Sequence, residues 1–292
     1  MMKRNTFAFL IMLLCLLLTT FKPLNTNAQR SEFGLFGGTS FYLGDLNPTK
    51  IFAQPKVAGG FLYRYNLSPR WAIKADFLFS KVGASDALNN GGYERNLSFT
   101  SPITELSAQA ELNFLKLYNS AGKNRFAPYI FAGVSLFSFD PQTTINGITY
   151  ELQSLGTEGQ GLDDGPGKKY SLTSFAIPFG IGIKCTIGRY FSIGAEWGMR
   201  YTFTDYLDDV SGVYYDNDML RQLRGDLIAD LADRSPELTD AETGLPLNRH
   251  AAGTQRGNTT TTDLYSFAGI TFTVKFGNED KTCDVKLPRK RR

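Results

Sequence analysis

The feature that most constrains this chain is a period of two, repeated eight times. Between Glu32 and Phe276 eight segments alternate so that one face of each is almost wholly apolar, as in strands with one greasy side. Segment one, Glu32 to Leu43, sets Phe33, Leu35, Phe41 and Leu43 on one side. Segment two sets Val57, Phe61, Tyr63 and Tyr65 against Ala58, Gly60, Arg64 and Asn66. Segment three sets Trp71, Ile73, Ala75, Phe77 and Phe79 against Lys74, Asp76 and Ser80. Segment four opposes Leu106, Ala108, Ala110, Leu112 and Phe114 to Glu105, Ser107, Gln109, Glu111 and Asn113. Segment five, Ala127 to Phe139, is apolar on both faces. Segments six and seven carry Phe175 to Ile187 and Phe191 to Tyr201 on their apolar sides, backed by Gly180, Gly182 and Lys184, and by Gly194, Glu196, Gly198 and Arg200. Segment eight sets Ile270, Phe272, Val274 and Phe276 against Thr271, Thr273 and Lys275.

A soluble sandwich alternates too, so the solvent is decided by other features. The segments run about 10 to 13 residues, whereas soluble strands average about five or six and a tilted membrane strand needs about 9 to 11. Their polar faces place ionised groups beside glycines, which suits a lumen. The connections alternate: about 13, 20, 33 and 60 residues follow segments one, three, five and seven. Only Leu67 to Arg70, Lys116 to Arg125 and Gly188 to Tyr190 follow two, four and six. Short periplasmic turns and long outside loops are the outer-membrane pattern. The expected fold is all-β: an eight-stranded antiparallel transmembrane β-barrel with long extracellular loops, a short loop helix and a short periplasmic C-terminal tail. Both termini lie in the periplasm, and the localisation is the cell outer membrane.

The ends have their own chemistry. Met1 to Ala28 has a basic start (Lys3, Arg4), an apolar run from Phe7 to Leu18 and a Thr26-Asn27-Ala28 terminus, the layout of a secretory signal peptide. The run is too short to span a bilayer, which needs roughly 20 residues. Domains are therefore expected at 1–28 (signal peptide), 29–277 (barrel) and 278–292 (basic tail). With 31 Lys+Arg against 28 Asp+Glu, the charge indicates no nucleic-acid partner. Three Cys and one His leave little for a zinc or Cys-His site.

Eight strands leave an interior just filled by side chains. Arg64, Lys74, Asp76, Glu111, Lys184, Glu196, Arg200 and Lys275 are the expected ionic plug, with Tyr129 beside them. Charge satisfaction explains it better than an ion path, because an unpaired buried charge costs several kcal/mol. His250 lies in the longest loop as an exposed histidine, without the hydroxyl and carboxylate a nucleophile needs. No catalytic, cofactor or metal residue is assigned, and the chain reads as a non-enzyme. Asp205, Asp208, Asp209 and Asp216 lack metal-loop spacing and read as a turn and cap rather than calcium ligands. Leu155 to Leu162, rich in glycine, has no Gly-Lys-Ser/Thr after it and reads as a compact surface turn. Met219 to Ala232 reads as one amphipathic helix with Leu220, Leu223, Leu227 and Leu231 on a stripe.

Three stretches, Phe33-Gly-Leu-Phe-Gly-Gly-Thr-Ser-Phe-Tyr-Leu-Gly-Asp-Leu-Asn-Pro48, Leu155 to Leu162 and Thr204 to Ser211, resemble the PorG-like outer-membrane barrels of the Bacteroidetes type IX secretion system. The resemblance implies a structural component that anchors a periplasmic ring, built from a PorK-like lipoprotein and a PorN-like protein. Independently of it, the periplasmic end collects charge. Arg30, Arg70, Lys116, Lys123, Arg125, Arg189, Lys281, Lys286, Arg289, Lys290, Arg291 and Arg292 face only Glu279, Asp280 and Asp284, while the chain after residue 28 is neutral. Such asymmetry speaks to partners, either a periplasmic protein or outer-membrane lipid and lipopolysaccharide. The expected partner-binding residues are Cys283, Lys281, Lys286, Arg289, Lys290, Arg291, Arg292, Lys123 and Arg125. Cys283 is expected to form an intermolecular disulfide with the ring lipoprotein, with a Cys185–Cys283 bond as the alternative. The other functional reading is a surface-exposed binding or adhesion barrel acting through its long extracellular loops.

Overall fold

The computed structural model describes residues 31–88, 94–115, 125–188, 190–240 and 242–276. Eight long strands form the wall: β1 (Ser31–Leu43), β2 (Lys56–Asn66), β3 (Trp71–Ser85), β4 (Ser98–Asn113), β5 (Phe126–Phe139), β8 (Thr173–Ile187), β9 (Phe191–Thr202) and β10 (Leu264–Phe276). Each pairs antiparallel with its sequence neighbour in the wall, and β1 pairs with β10 from Ser31↔Phe276 to Leu43↔Leu264. The ring is closed, so among the described residues none of the eight wall strands is an edge strand. A short hairpin, β6 (Gln142–Ile145) and β7 (Ile148–Glu151), rises from the long β5–β8 connection.

The period of two appears directly in exposure. Along β3, Trp71, Ile73, Phe77 and Phe79 are exposed, while Ala72, Lys74, Asp76 and Leu78 between them are buried. The same inversion of apolar-out and charged-in holds around the ring, with Leu35, Ile181 and Phe272 outside and Arg64, Glu111 and Lys184 inside. In water this arrangement would expose the apolar face and bury the ions. Against hydrocarbon it is the stable one, and the architecture is that of a transmembrane β-barrel. Among the described residues no helix is long and apolar enough to cross a membrane.

Strand β5, apolar on both faces in the sequence, turns Tyr129 and Phe131 inward and Ile130 and Val134 outward. The inward rings fit because the facing positions are glycine. A Cβ on Gly182 would sit 2.4 Å from the Tyr129 ring, and one on Gly198 would sit 2.6 Å from Phe131. Strands β3 and β4 stay paired as far as Ser85↔Ser98, so the second long connection is shorter than expected. Val82, Ala84, Leu97 and Phe99 are buried there, and that apolar packing carries the ladder beyond the belt. The apolar core gathers at this same end, with Phe36, Leu78, Phe99, Phe137, Leu207 and Val210 in one cluster. Residues 1–28 and 278–292, expected to be signal peptide and tail, lie outside the described residues.

Candidate functional site: lumen, cap and short-turn rim

Three surfaces could act: the lumen, the cap of long loops over one mouth, and the rim of short turns at the other. In the lumen, ten ionised side chains meet in three groups. Glu111 accepts from Arg64 (2.9 Å) and Lys184 (2.8 Å), and Arg64 also donates to Glu32 at 3.1 Å. Thr273 and Asn66 each donate to Glu32 at 2.8 Å, and Lys275 donates to Thr186 at 2.9 Å. Above them, Lys74 bridges to Glu196 across the barrel at 2.8 Å and lies 3.3 Å from Asp76. Tyr129 donates to Glu196 at 2.8 Å, and Gln109 donates to Asp76 at 2.7 Å. Higher still, Arg200 pairs with Glu105 at 3.1 Å, Tyr265 donates to Glu105 at 2.7 Å, and the guanidinium lies 4.5 Å over the Phe267 ring.

All eight residues expected in the plug line this lumen, buried or nearly so. Sequence reasoning left out two members, Glu32 and Glu105. Both stand at inward parity, immediately before Phe33 and Leu106 on the apolar face, and that parity was the available signal. With them included, Glu32, Asp76, Glu105, Glu111 and Glu196 balance Arg64, Lys74, Lys184, Arg200 and Lys275. This balance is what a low-dielectric interior requires.

The cap is a folded layer. Two buried arginines stitch its loops together. Arg256 donates to Glu158 (2.9 Å), to the Asp209 carbonyl (2.6 Å) and to the Ala232 carbonyl (3.3 Å). Arg95 donates to the Arg256 carbonyl (2.5 Å), the Asp45 carbonyl (3.0 Å) and Asp86 (2.8 Å). The glycine-rich run 155–162 is not a surface turn: Thr157, Glu158 and Gln160 are buried in the cap. Its carbonyls at Leu155, Gly156 and Gln160 converge on Arg224 at 2.6–2.8 Å. A phosphate cradle would instead present N–H groups.

Acidic groups dominate the cap interior. The Tyr42 hydroxyl lies 2.6 Å from Asp208 and 2.6 Å from Asp263, all three side chains being buried. One hydroxyl hydrogen cannot serve two acceptors, so one of these carboxyls is protonated and donates to the tyrosine oxygen. Burial, then mutual repulsion, pushes Asp208 well up from the ordinary carboxylate value. Asp263 is pushed well up by burial and by the nearby Asp205 and Asp45, against the Tyr42 hydrogen bond. Burial lifts Asp209 to about 6 against the pull of Arg256, Thr157 and Tyr170. Asp205, half-buried, is lifted to about 7 by desolvation and by Asp45 and Glu158.

The helix expected over Met219 to Ala232 is two. After α1 (Leu152–Leu155), α2 (Asn217–Arg224) and α3 (Asp226–Ala232) meet at Gly225, whose φ of 92° only glycine adopts without strain. The leucine stripe is not one buried face: each helix buries one of its leucines, Leu220 and Leu231, and exposes the other, Leu223 and Leu227. Asp216 caps α2, accepting from the Met219 N–H at 2.9 Å. His250 is not an exposed loop residue: it stacks on Tyr214 at 4.3 Å with Nδ1 3.3 Å from Asp233. Ser235 is also there, but its buried hydroxyl donates to Asp233 at 2.6 Å and not to the imidazole. A hydroxyl nucleophile needs its base as partner, so this trio is a structural turn.

At the short-turn rim, Arg70 and Arg125 are exposed. Of the expected partner-binding residues only Arg125 is among those described; Cys283, Lys281, Lys286, Arg289, Lys290, Arg291, Arg292 and Lys123 lie outside them. Cys185 is half-buried on the lipid-facing side and is a free thiol.

A family model described as a domain of unknown function (DUF6089) matches residues 8–231. No curated protein matches. Solved structures that resemble the chain include the attachment invasion locus protein Ail of Yersinia pestis, bound to the heparin analogue sucrose octasulfate. It shares 9% identity at a TM-score of 0.39, over 85% of this chain and 98% of that one. Neisserial surface protein A shares 9% identity at a TM-score of 0.41, over 84% and 97% respectively. The N-terminal β-barrel domain of Pseudomonas aeruginosa OprF shares 10% identity at a TM-score of 0.36, over 86% and 100%.

Proposed function

The chain belongs to the family described as a domain of unknown function (DUF6089), and we propose that this member is a non-enzymatic outer-membrane component of a type IX protein secretion system. In this reading the short-turn end faces the periplasm and docks a ring of PorK-like lipoprotein and PorN-like protein, with Cys283 as the site of an intermolecular disulfide. The observation that carries the reading is the division of labour between the two ends. The lumen is bridged by ion pairs from wall to wall and the long-loop mouth is covered by a packed cap. That leaves the rim, with exposed Arg70 and Arg125, as the surface suited to a partner, and the sequence that follows Phe276 is basic. Its positive charge favours an acidic periplasmic face.

The test is co-purification. Full-length protein should bring down the ring proteins from detergent-solubilised membranes, and a chain lacking residues 278–292 should insert normally yet bring down none. Unchanged recovery of the ring would defeat the assignment. On non-reducing gels a higher-mass band should vanish with Cys283→Ser.

A second reading, a surface-binding barrel, is favoured by the exposed Met219, Leu223 and Leu227 on the cap. Replacing residues 219–256 with a short turn should then abolish surface binding and leave secretion intact; the anchoring reading expects no loss of binding.

A further inference from the structure

The cap encloses a small cavity. Four leucines and a valine form its apolar wall, and the polar remainder is Ser98, Thr143, Asp208, Arg234 and Arg256. The space open to the centre of a water molecule is about 10 Å³, the least that holds one water. The hydroxyl of Thr143, on β6, is buried and meets no hydrogen-bond partner among the protein groups, a rare condition for a buried polar atom. Ser98, at the start of β4, accepts from Arg234 at 3.2 Å and still has its own hydrogen to give. Asp208 accepts from the Val210 N–H at 2.9 Å and meets the Tyr42 hydroxyl at 2.6 Å, which leaves lone pairs on its carboxyl to spare. Every residue of the wall is buried except Ser98 and Arg234, which are half-buried. The cavity therefore comes nearest the solvent on their side.

We infer that this cavity binds one water molecule, held by the Thr143 hydroxyl and the Asp208 carboxyl, and that this water is the port through which the proton shared by Asp208, Tyr42 and Asp263 exchanges with the outside. Each of those three side chains is 1% exposed, so bulk water does not reach them directly. Buried waters make about three hydrogen bonds to polar groups that otherwise lack partners, and Thr143, Ser98 and Asp208 supply that number. The step is a balanced hop. A carboxyl O–H bond breaks as an O–H bond forms on the water, and the water passes one of its own hydrogens out past Ser98. A carboxylate is left within and a hydronium in bulk solvent. Where Asp263 holds the proton, the Tyr42 hydroxyl, 2.6 Å from both carboxyls, relays it to Asp208. The charged groups that face Asp208 are Asp263 and Asp45 and, in the cavity wall, Arg256 and Arg234. The inference rests on the packing of the cap and not on the secretion role.

Crystals of the full-length barrel that diffract well enough to show buried waters should place one water within hydrogen-bond distance of both the Thr143 hydroxyl and the Asp208 carboxyl. Thr143→Val, which keeps the shape and removes the hydroxyl, should lose it. In lipid nanodiscs, proton NMR should follow exchange of the Tyr42 hydroxyl proton with solvent. That rate is divided by exchange at the Leu220 amide, which is bonded to the Asp216 carbonyl within the cap and reports its opening. The ratio should fall about tenfold in Thr143→Val, the equivalent of ~1.4 kcal/mol for the lost partner. It should fall as far in Ser98→Val, which keeps the Thr143 hydroxyl and closes the way out. Taking the ratio keeps the comparison valid where a variant loosens the cap. An empty cavity in the wild-type crystal overturns the proposal, and so does a water that survives Thr143→Val. A ratio unchanged in both variants also overturns it, by showing that the proton leaves only when the whole cap opens.

Discussion

The lumen and the cap both bury ionised groups, and they solve the problem in opposite ways. In the lumen every carboxylate has a cation or a full set of hydrogen-bond donors, and the five acids are matched by five bases. In the cap, Asp208, Asp209, Asp263 and Glu158 are buried with Asp45 and Asp205 beside them, against Arg256 and an Arg95 already paired to Asp86. A membrane interior cannot hold an uncompensated charge, so the wall compensates with opposite charges fixed by strand register. The cap sits outside the belt, where a proton can arrive from water, and it compensates with protons. The lumen should therefore be sensitive to the loss of any one partner, and the cap to pH.

The largest effect expected from that contrast is Glu111→Leu. It takes from buried Lys184 its carboxylate and leaves buried Arg64 with Glu32 alone, and breaking such a pair costs about 3–5 kcal/mol. Urea unfolding of the reconstituted barrel, followed by tryptophan fluorescence, should show a loss of that size, and a loss below about 1 kcal/mol would mean that water reaches the lumen.

The pH response of the cap comes next. Asp209 rises from its ordinary 3.8 to about 6 on folding, so the folded cap holds its proton more tightly than the unfolded loop does. Between those values the folded state binds more protons, and stability falls as pH rises. Two pKa units correspond to about 3 kcal/mol for this one group. Below pH 4 the penalty is absent, and above pH 6 it is complete; Asp205, lifted to about 7, extends the window upward. Hydrogen exchange at Val210 and Leu207 should quicken from pH 5 to pH 8 while strand amides keep their protection. Arg256→Met should accelerate cap exchange at both pH values.

How far the sequence revealed these two regions differs for a physical reason. Side-chain parity along a strand follows from backbone geometry alone, so Arg64, Lys74, Glu111, Lys184 and Lys275 could be placed in the lumen from the row of residues. Which of them meet depends on the stagger of the closed ring, which no local pattern encodes. Lys74 reaches Glu196 across the barrel, a pairing 122 residues apart that alternation does not announce. The cap has no period to read. Leu220, Leu223, Leu227 and Leu231 read as one stripe, yet the two short helices on either side of Gly225 each bury one leucine and expose the other. The run 155–162, though it looked like a solvent-facing turn, is buried because Arg224, far along the sequence, gathers its carbonyls.

A smaller effect is expected where the lumen is tight but uncharged. Gly182→Val would press a side chain onto the Tyr129 ring, 2.4 Å from the first added carbon. Overpacking costs about 1–3 kcal/mol, and Tyr129→Phe should not relieve it, since the ring rather than the hydroxyl is in the way.

The smallest effect lies on the cap surface and is the most informative about it. Leu220 and Leu223 are three residues apart on α2, yet Leu220 is fully buried and Leu223 is 59% exposed. Leu220→Ser should loosen the cap by at least about 2 kcal/mol, as large-to-small changes in a packed core do. Leu223→Ser should change stability by no more than about 0.5 kcal/mol. Equal losses would mean that α2 packs Leu223 into the cap as Leu220 is packed. A neutral Leu223→Ser that nevertheless reduced adherence of whole cells would place function on the cap, and so favour the surface-binding reading over anchoring from the rim.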